Sequence, residues 1–434
     1  MSPEVTGLVG IAALLLLFLI KVPVAFAMTL VGFVGFAYLG DIEPALSILS
    51  QDLFETFTSY PLSVIPMFIL MGSFAHASGI SQRLFATTYC WFGSLRGGLT
   101  IATVLACAGF AAICGSTAAT AATMGKISLP EMKKYGYDDA LATGTVAAAG
   151  TLGILIPPST LLIVYGILVE ESIGKLFVAG IVPGMILSLL FVATVAILCA
   201  RNSSLGPPGP ATTWSDKFSA TKGIIEAIIL FLLAIGGLML GWFSPTQAGA
   251  VGAGGALLIG LFRRKLSWKN FVETGRDGLL TSCMVLFIIA GAVVFGHFLA
   301  VSTIPFKLAE WVGNLPIHRM AILGIIIFIY FLGGFFMDSL ALVVVTMPIF
   351  YPIVQKLGFD PIWFGVIIVL TGEMGVITPP VGVNVFVIKG IAPEVPLNTI
   401  FRGIFPFLYA IILMTVVLMI FPQIATYLPS LVKY

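Results

Sequence analysis

Residues 129–158 read LPEMKKYGYDDALATGTVAAAGTLGILIPP, and residues 351–380 read YPIVQKLGFDPIWFGVIIVLTGEMGVITPP. Laid side by side without a gap, 222 positions apart, they agree at eight of thirty residues. The matches are Pro130/Pro352, Lys134/Lys356, Gly136/Gly358, Asp138/Asp360, Gly150/Gly372, Gly153/Gly375, Pro157/Pro379 and Pro158/Pro380, and Pro23/Pro245 falls on the same offset. A shared apolar bias explains matched Leu and Val. It does not explain matched Pro, Gly and Asp, so the chain reads as an internal duplication.

Composition says where that duplication lives. Of 434 residues, 59% are hydrophobic and only 9% charged, with a mean hydropathy of +1.11. A soluble domain carries about 25% charge, and a chain of this size with so little has no means of covering a water-facing surface. An integral membrane protein follows, and a soluble enzyme, a disordered chain and a nucleic-acid binder are excluded. The net charge of +2 offers no basic patch for phosphates. The cysteines Cys90, Cys107, Cys114, Cys199 and Cys283 form no CxxC pair and read as small hydrophobes. Ala25-Phe26-Ala27 has the look of a cleavage site after an apolar run. The first residues carry Glu4 and no Lys or Arg, so that run is expected to be a retained span.

A crossing helix needs about 20 apolar residues. Plain spans fall near 5–20, 22–39, 61–79, 177–200, 224–241, 246–262, 279–299 and 403–421. The segments 141–169 and 362–388 are long but interrupted by Gly and Pro-Pro, and 97–125 and 319–347 are broken midway by small or polar residues. The last two read as re-entrant hairpins. The basic loops 201–222 and 263–276 flank two spans joined by an uncharged turn, so both belong on the cytoplasmic side. Counting outward places Lys133 and Lys134 inside, Glu170 and Glu171 outside, Lys307 outside, Lys389 and Arg402 inside, and both termini outside.

Each half then holds five spans and one hairpin. Five is odd, so the second half enters the membrane upside down. The expected fold is an all-α polytopic protein of two inverted-topology repeats. Residues 1–200 form the first and 223–434 the second. The Ser-, Gly- and Pro-rich stretch 201–222 is a cytoplasmic linker. The mixed polar and apolar segments 41–60 and 266–276 read as interfacial arms.

Unsatisfied backbone groups are costly in hydrocarbon, so a broken helix at mid-depth is tolerated where it lines a cavity or binds something. Two such breaks fall at matched positions. One runs through Gly150, Gly153, Pro157, Pro158 and Ser159, the other through Gly372, Glu373, Gly375, Thr378, Pro379 and Pro380, with Asn384 just beyond. Each Pro removes a donor and frees a carbonyl one turn earlier, a ligand for a hard cation such as Na⁺. The restarted half-helix turns its N–H groups toward the same place, which suits a carboxylate. The hairpin tips add Gly115, Ser116 and Thr117 in one half and Asp338 and Ser339 in the other, with Ser116 facing Asp338 and Thr117 facing Ser339 at the 222 offset. Such residues also cap helices, and the two roles are compatible. Asp338 is the sharpest signal, because a charge at mid-membrane costs roughly 2.5–3.5 kcal/mol on insertion scales. Glu373 either binds or braces the break. His76 and His297, near span ends, serve either a proton relay or interfacial hydrogen bonding.

The tip CGSTAATAATMG, the following LPEMKKYGYD and ATGTVAAAGTLGILIPPS resemble the large membrane subunit of the tripartite ATP-independent periplasmic (TRAP) transporters. The stretch from Asp338 through GVITPPVGVN is similar to the same family, and the likeness covers essentially the whole chain. It implies an elevator-type ion-transporter fold, Na⁺-driven uptake of an organic acid such as a C4-dicarboxylate or sialic acid, and residence in the bacterial inner membrane. It implies two partners, a small membrane subunit and a soluble periplasmic solute-binding protein. Some members fuse the small subunit to the front. This chain starts at the large one, so the small one is expected as a separate polypeptide. The same resemblance gives the Ser116, Ser159 and Asp338 positions ion or substrate contacts.

No Walker lysine motif is present, so ATP is not expected to drive the protein directly. No cofactor beyond the coupling ion is expected, and no paired catalytic constellation points to an enzyme. A stand-alone Na⁺/carboxylate symporter and an ion channel remain as alternatives.

Overall fold

The computed structural model describes residues 1–380 and 382–431. Among them every regular element is helical. The first half runs α1 (Pro3–Leu19), α2 (Val24–Leu39), α3 (Ile42–Thr58), α4 (Val64–Ala77), α5 (Ile80–Phe92), α6 (Gly98–Cys114), α7 (Thr117–Lys134), α8 (Asp139–Gly150), α9 (Leu152–Leu155), α10 (Thr160–Leu168) and α11 (Ile173–Arg201). The linker contributes α12 (Trp214–Thr221). The second half runs α13 (Ile225–Phe231), a π turn, α14 (Gly237–Met239), α15 (Pro245–Phe262), α16 (Trp268–Ser302), α17 (Ile304–Gly313), α18 (Arg319–Gly333), α19 (Ser339–Lys356), α20 (Pro361–Ile377), α21 (Val383–Ile391), α22 (Leu397–Ile420) and α23 (Gln423–Leu431).

The 222 offset reappears in the backbone. Helices α7 and α19 begin and end at matched residues, and α8 with α9 spans the same frame as α20. Gly136 and Gly358 both take left-handed φ, 70° and 67°, where a side chain is disfavoured. Asp138 and Asp360 then cap the next helices, accepting from Leu141 N at 3.0 Å and Trp363 N at 2.9 Å. Both Pro-Pro bonds, 157–158 and 379–380, are cis.

Six helices are long and apolar enough to cross a membrane, or eight with each of two bent pairs counted as one span. The chain is thus a multi-pass membrane protein. Expected spans 5–20 and 22–39 are helices of 17 and 16 residues, at the short limit for crossing. Both hairpins are helix–break–helix units, but their second arms run past 125 and 347 to Lys134 and Lys356. The two expected interfacial arms differ. Residues 42–58 form a separate helix, bent 54° from the next, whereas 268–276 are the first turns of the continuous 35-residue α16. Pro61 follows the first arm, and its mate at the offset is Cys283, which lets the helix run through.

Long-range ion pairs join elements distant in sequence. Glu226 meets Arg83 at 2.6 Å and also Arg263. Lys133 meets Glu394 at 2.7 Å, and Lys307 meets Glu4. The linker is held rather than loose. Gly97 N donates to Gly206 O and Gly209 N to Gly93 O, both at 2.8 Å, and Asp138 N donates to Leu205 O at 3.0 Å. A Cβ on Gly206 would sit 2.9 Å from Gly97 Cα, so glycine is what permits the approach.

Candidate functional site

The first break begins where α9 ends at Leu155 and closes with Ser159, which caps α10 by accepting from Leu162 N at 3.1 Å. The two segments meet at 41°. The tip of the first hairpin lies on this break. Gly115, at φ 67°, turns the chain there, and its carbonyl accepts from the Thr160 hydroxyl at 2.9 Å. Gly153 is small enough to let the hairpin close in, since a Cβ there would come within 2.7 Å of Thr120 Oγ1. Gly150 likewise admits Ala121. Pro157, Pro158 and Ser159 are buried.

The second break follows α20. Thr378 caps that helix, its hydroxyl donating to Met374 O at 2.5 Å. Pro379 is half-buried and Pro380 exposed, so this break is the more open of the two. Gly375 packs on Gly334 of the second hairpin, and Gly372 lies against Ser339, whose Oγ would be 3.1 Å from an added Cβ. Asn384 is fully buried and donates to Ala147 O at 3.0 Å, tying α21 to α8.

Both hairpin tips are helix caps, and both lead to one carboxylate. Ser116 accepts from Ala119 N at 3.4 Å and Asp338 from Leu340 N at 3.2 Å. The next residues, Thr117 and Ser339, donate to Glu373, at 2.9 Å to Oε2 and 3.0 Å to Oε1. Glu373 is 2% exposed and joins the two hairpins to the second broken helix. A carboxylate has about four lone-pair positions, so two remain after these bonds.

A cavity of about 540 Å³ opens beside this junction, between the tips and the helices α4 and α16. Of the residues singled out in the sequence, His76, Ser116, Thr117, Asp338, Ser339 and Glu373 line it. Gly115, Gly150, Gly153, Pro157, Pro158, Ser159, Gly372, Gly375, Thr378, Pro379, Pro380 and Asn384 form the surrounding breaks and contacts. The acids on the cavity wall are Asp277, Asp338 and Glu373, and no Lys or Arg lies on it. Two buried oxygens close to the breaks, Thr120 Oγ1 and Asn384 Oδ1, have no hydrogen-bond partner. Among the described residues no cluster of three His, Cys, Asp or Glu side chains forms a metal site.

Sequence reasoning missed Asp277, Thr281 and Thr123, which also line the cavity. Asp277 falls between the expected arm, 266–276, and the expected span, 279–299, and the packing of α16 along α4 brings it to the cavity. The two histidines settle into hydrogen bonds, His76 with Thr123 at 3.1 Å and His297 with Asp52 at 2.8 Å.

An all-helical membrane protein with two hairpin tips and two broken helices converging on a cavity belongs to the class of membrane transporters. Residues 11–424 match the family described as "Tripartite ATP-independent periplasmic transporter, DctM component", and the chain belongs to that family. It is 37% identical over 387 residues to the C4-dicarboxylate TRAP transporter large permease protein DctM of Pseudomonas aeruginosa, covering 88% of this chain and 89% of that one. It is 31% identical over 421 residues to the ectoine/5-hydroxyectoine TRAP transporter large permease protein UehC of Ruegeria pomeroyi, covering 96% and 97%. Its fold is shared with the YdaH transporter of Alcanivorax borkumensis, at a TM-score of 0.70 and 16% identity, covering 95% and 98%.

Proposed function

We propose that a Na⁺ gradient drives a small organic acid inward through this chain, acting as the permease of a three-part transporter. The observation that carries the reading is the lining of the cavity wall: three acidic side chains and no Lys or Arg. Two like charges 4 Å apart at an effective dielectric near 20 repel by about 4 kcal/mol. An acid therefore enters only after cations have neutralised the wall, which makes its transport depend on them. The orphan oxygens of Thr120 and Asn384, the freed carbonyls of the breaks and the spare lone pairs of Glu373 offer hard ligands for Na⁺. Two Na⁺ moving inward through 100 mV release roughly 4.6 kcal/mol, at about 2.3 per charge.

The protein sits in the inner membrane with both termini periplasmic, as two inverted repeats, 1–200 and 223–434, around the 201–222 linker. The ion pairs fit this arrangement, since each joins segments that the Lys and Arg distribution puts on one side. The cavity is walled by the end of α4 and the start of α16, the ends nearest the basic loops, so this conformer opens inward. The hairpins and broken helices slide as a unit against the remaining helices. A small membrane subunit completes the permease, and a periplasmic binding protein delivers the acid.

The test is reconstitution in liposomes with the neighbouring subunits and a panel of labelled acids. Accumulation under an inward Na⁺ gradient, and none when K⁺ replaces Na⁺, is expected. Equal uptake in K⁺ would remove Na⁺ from the mechanism.

A further inference from the structure

The wall of acids leaves one basic side chain on the cavity. His76 stands in the last turn of α4, exposed to the cavity and set edge-on to the Phe110 ring, 6.4 Å between centroids. One turn earlier, Gly72 lets α4 touch the first hairpin. A Cβ there would lie 2.7 Å from the Cys114 carbonyl, so no larger residue fits without moving the tip. The imidazole is thus placed one turn from the seam between α4 and that hairpin. Its Nδ1 is 3.1 Å from the Thr123 hydroxyl on the hairpin's second arm. In the tautomer in which the Thr123 hydroxyl donates into Nδ1, the ring carries its proton on Nε2, for which no hydrogen-bond partner stands among the described residues.

We propose that His76 is the contact in this cavity for an oxyanion group of the transported acid, held in place by Thr123. The inference rests on the acid-transport reading above and deepens it. The placing of the wall residues supports it. Asp338 and Glu373 lie on the hairpin and broken-helix side, and the third acid, Asp277, lies on α16. His76 approaches from α4, accompanied by the small and apolar Ile69, Gly72 and Ser73. Cations gather on the first side, and the acid bridges from them to the Nε2–H on the other. The residue 222 positions on is Phe298, fully buried against Gly10 and Gly35, so the second half offers no equivalent donor. A carboxylate and a sulfonate present the same oxygens to such a donor, so His76 recognises the anionic head and leaves the rest of the molecule to the remaining cavity.

The experiment is equilibrium binding of ¹⁴C-labelled succinate and N-acetylneuraminate to the purified full-length protein in saturating Na⁺, with a Na⁺ titration of each variant. His76→Ala is expected to raise the Kd of the bound acid at least tenfold while the half-saturating Na⁺ concentration moves less than twofold. His76→Gln, which keeps an N–H, and Thr123→Val, which releases the ring, are each expected to raise Kd about threefold. An unchanged acid Kd in His76→Ala overturns the inference, as does a parallel loss of Na⁺ affinity, which would make His76 a packing residue of the seam. Should His76→Ala fail to purify as a folded species, His76→Gln and Thr123→Val decide the matter by the same readout. Wild-type protein that binds neither acid with Na⁺ present overturns the acid-transport reading itself, and the role of His76 with it.

Discussion

Thr117 and Ser339 stand 222 residues apart at matched positions, and each donates its hydroxyl to a different oxygen of the Glu373 carboxylate. One side chain therefore senses both hairpins at once. Glu373 has no acidic mate in the first half, where the equivalent residue is Thr151. The two breaks share a frame but not a charge.

Removing that carboxylate separates its two roles. Glu373→Gln keeps side-chain bonding to both hydroxyls but loses the charge, so half-saturating Na⁺ in transport is expected to rise at least tenfold with little change in melting temperature. Glu373→Ala strands two buried hydroxyls, each at a cost of about 1–3 kcal/mol, and its unfolding midpoint is expected to fall markedly. A Gln variant with the wild-type Na⁺ curve would leave Glu373 as a brace only.

The two caps make a second comparison. Asn caps a helix about as well as Asp, so Asp338→Asn is expected to insert and melt normally yet lose Na⁺-dependent uptake. Ser116→Ala removes a cap worth about 1 kcal/mol and is expected to lower the melting temperature slightly and to raise the Na⁺ requirement. Uptake at the wild-type rate in Asp338→Asn would take Asp338 out of the site.

Helices α8 and α22 touch through glycine. Any Cβ on Gly403 would overlap the Ala140 carbonyl, and Gly144 packs on Gly403 from the other helix. Overpacking of this kind typically costs about 1–3 kcal/mol. Gly403→Ala is expected to lower thermal stability by at least that much, measured on purified protein, with Gly275→Ala, which meets open space, as the unaffected control.

A hydrogen bond from Lys307 is the main reason the Glu4 carboxyl falls to about 2 from an ordinary 4.5, with Ser2 adding to it. A depressed folded value means that the pair stabilises above the unfolded value and is lost as pH falls from 4.5 toward about 2. Wild type and Glu4→Gln are expected to differ in melting temperature at neutral pH and to converge over that window. The pair is exposed, so high salt is expected to shrink the difference. A difference that persists below pH 2 would assign it to packing of α1.

What could be read in advance was what the backbone itself demands. Gly136 and Gly358 had to be glycine for a left-handed turn, Asp138 and Asp360 had to cap what followed, and each Pro-Pro had to interrupt a helix, so these residues repeat visibly. The tip residues followed from the same logic. Glu373 was noticed as a charge beside a break, but its partner Thr117 lies 256 residues away and nothing local points to it. Asp277 and Thr281 owe their place on the cavity to the packing of α16 along α4, which hydropathy does not encode. The second arm was misread because polarity was weighed ahead of Pro61, whose replacement by Cys283 in the other half allows α16 to continue.

The Gly-, Ser- and Pro-rich linker is fastened to the first half. Its glycines clasp the turn at 93–97 that leads into the first hairpin. The corresponding turn before the second hairpin, at 314–318, makes only local backbone bonds among the described residues. Perfectly matched halves would rest equally well facing either way, like a balance with identical pans. Here one pan is pinned, so the two halves of the duplication are held unequally, by a few backbone N–H groups that one turn has and the other lacks.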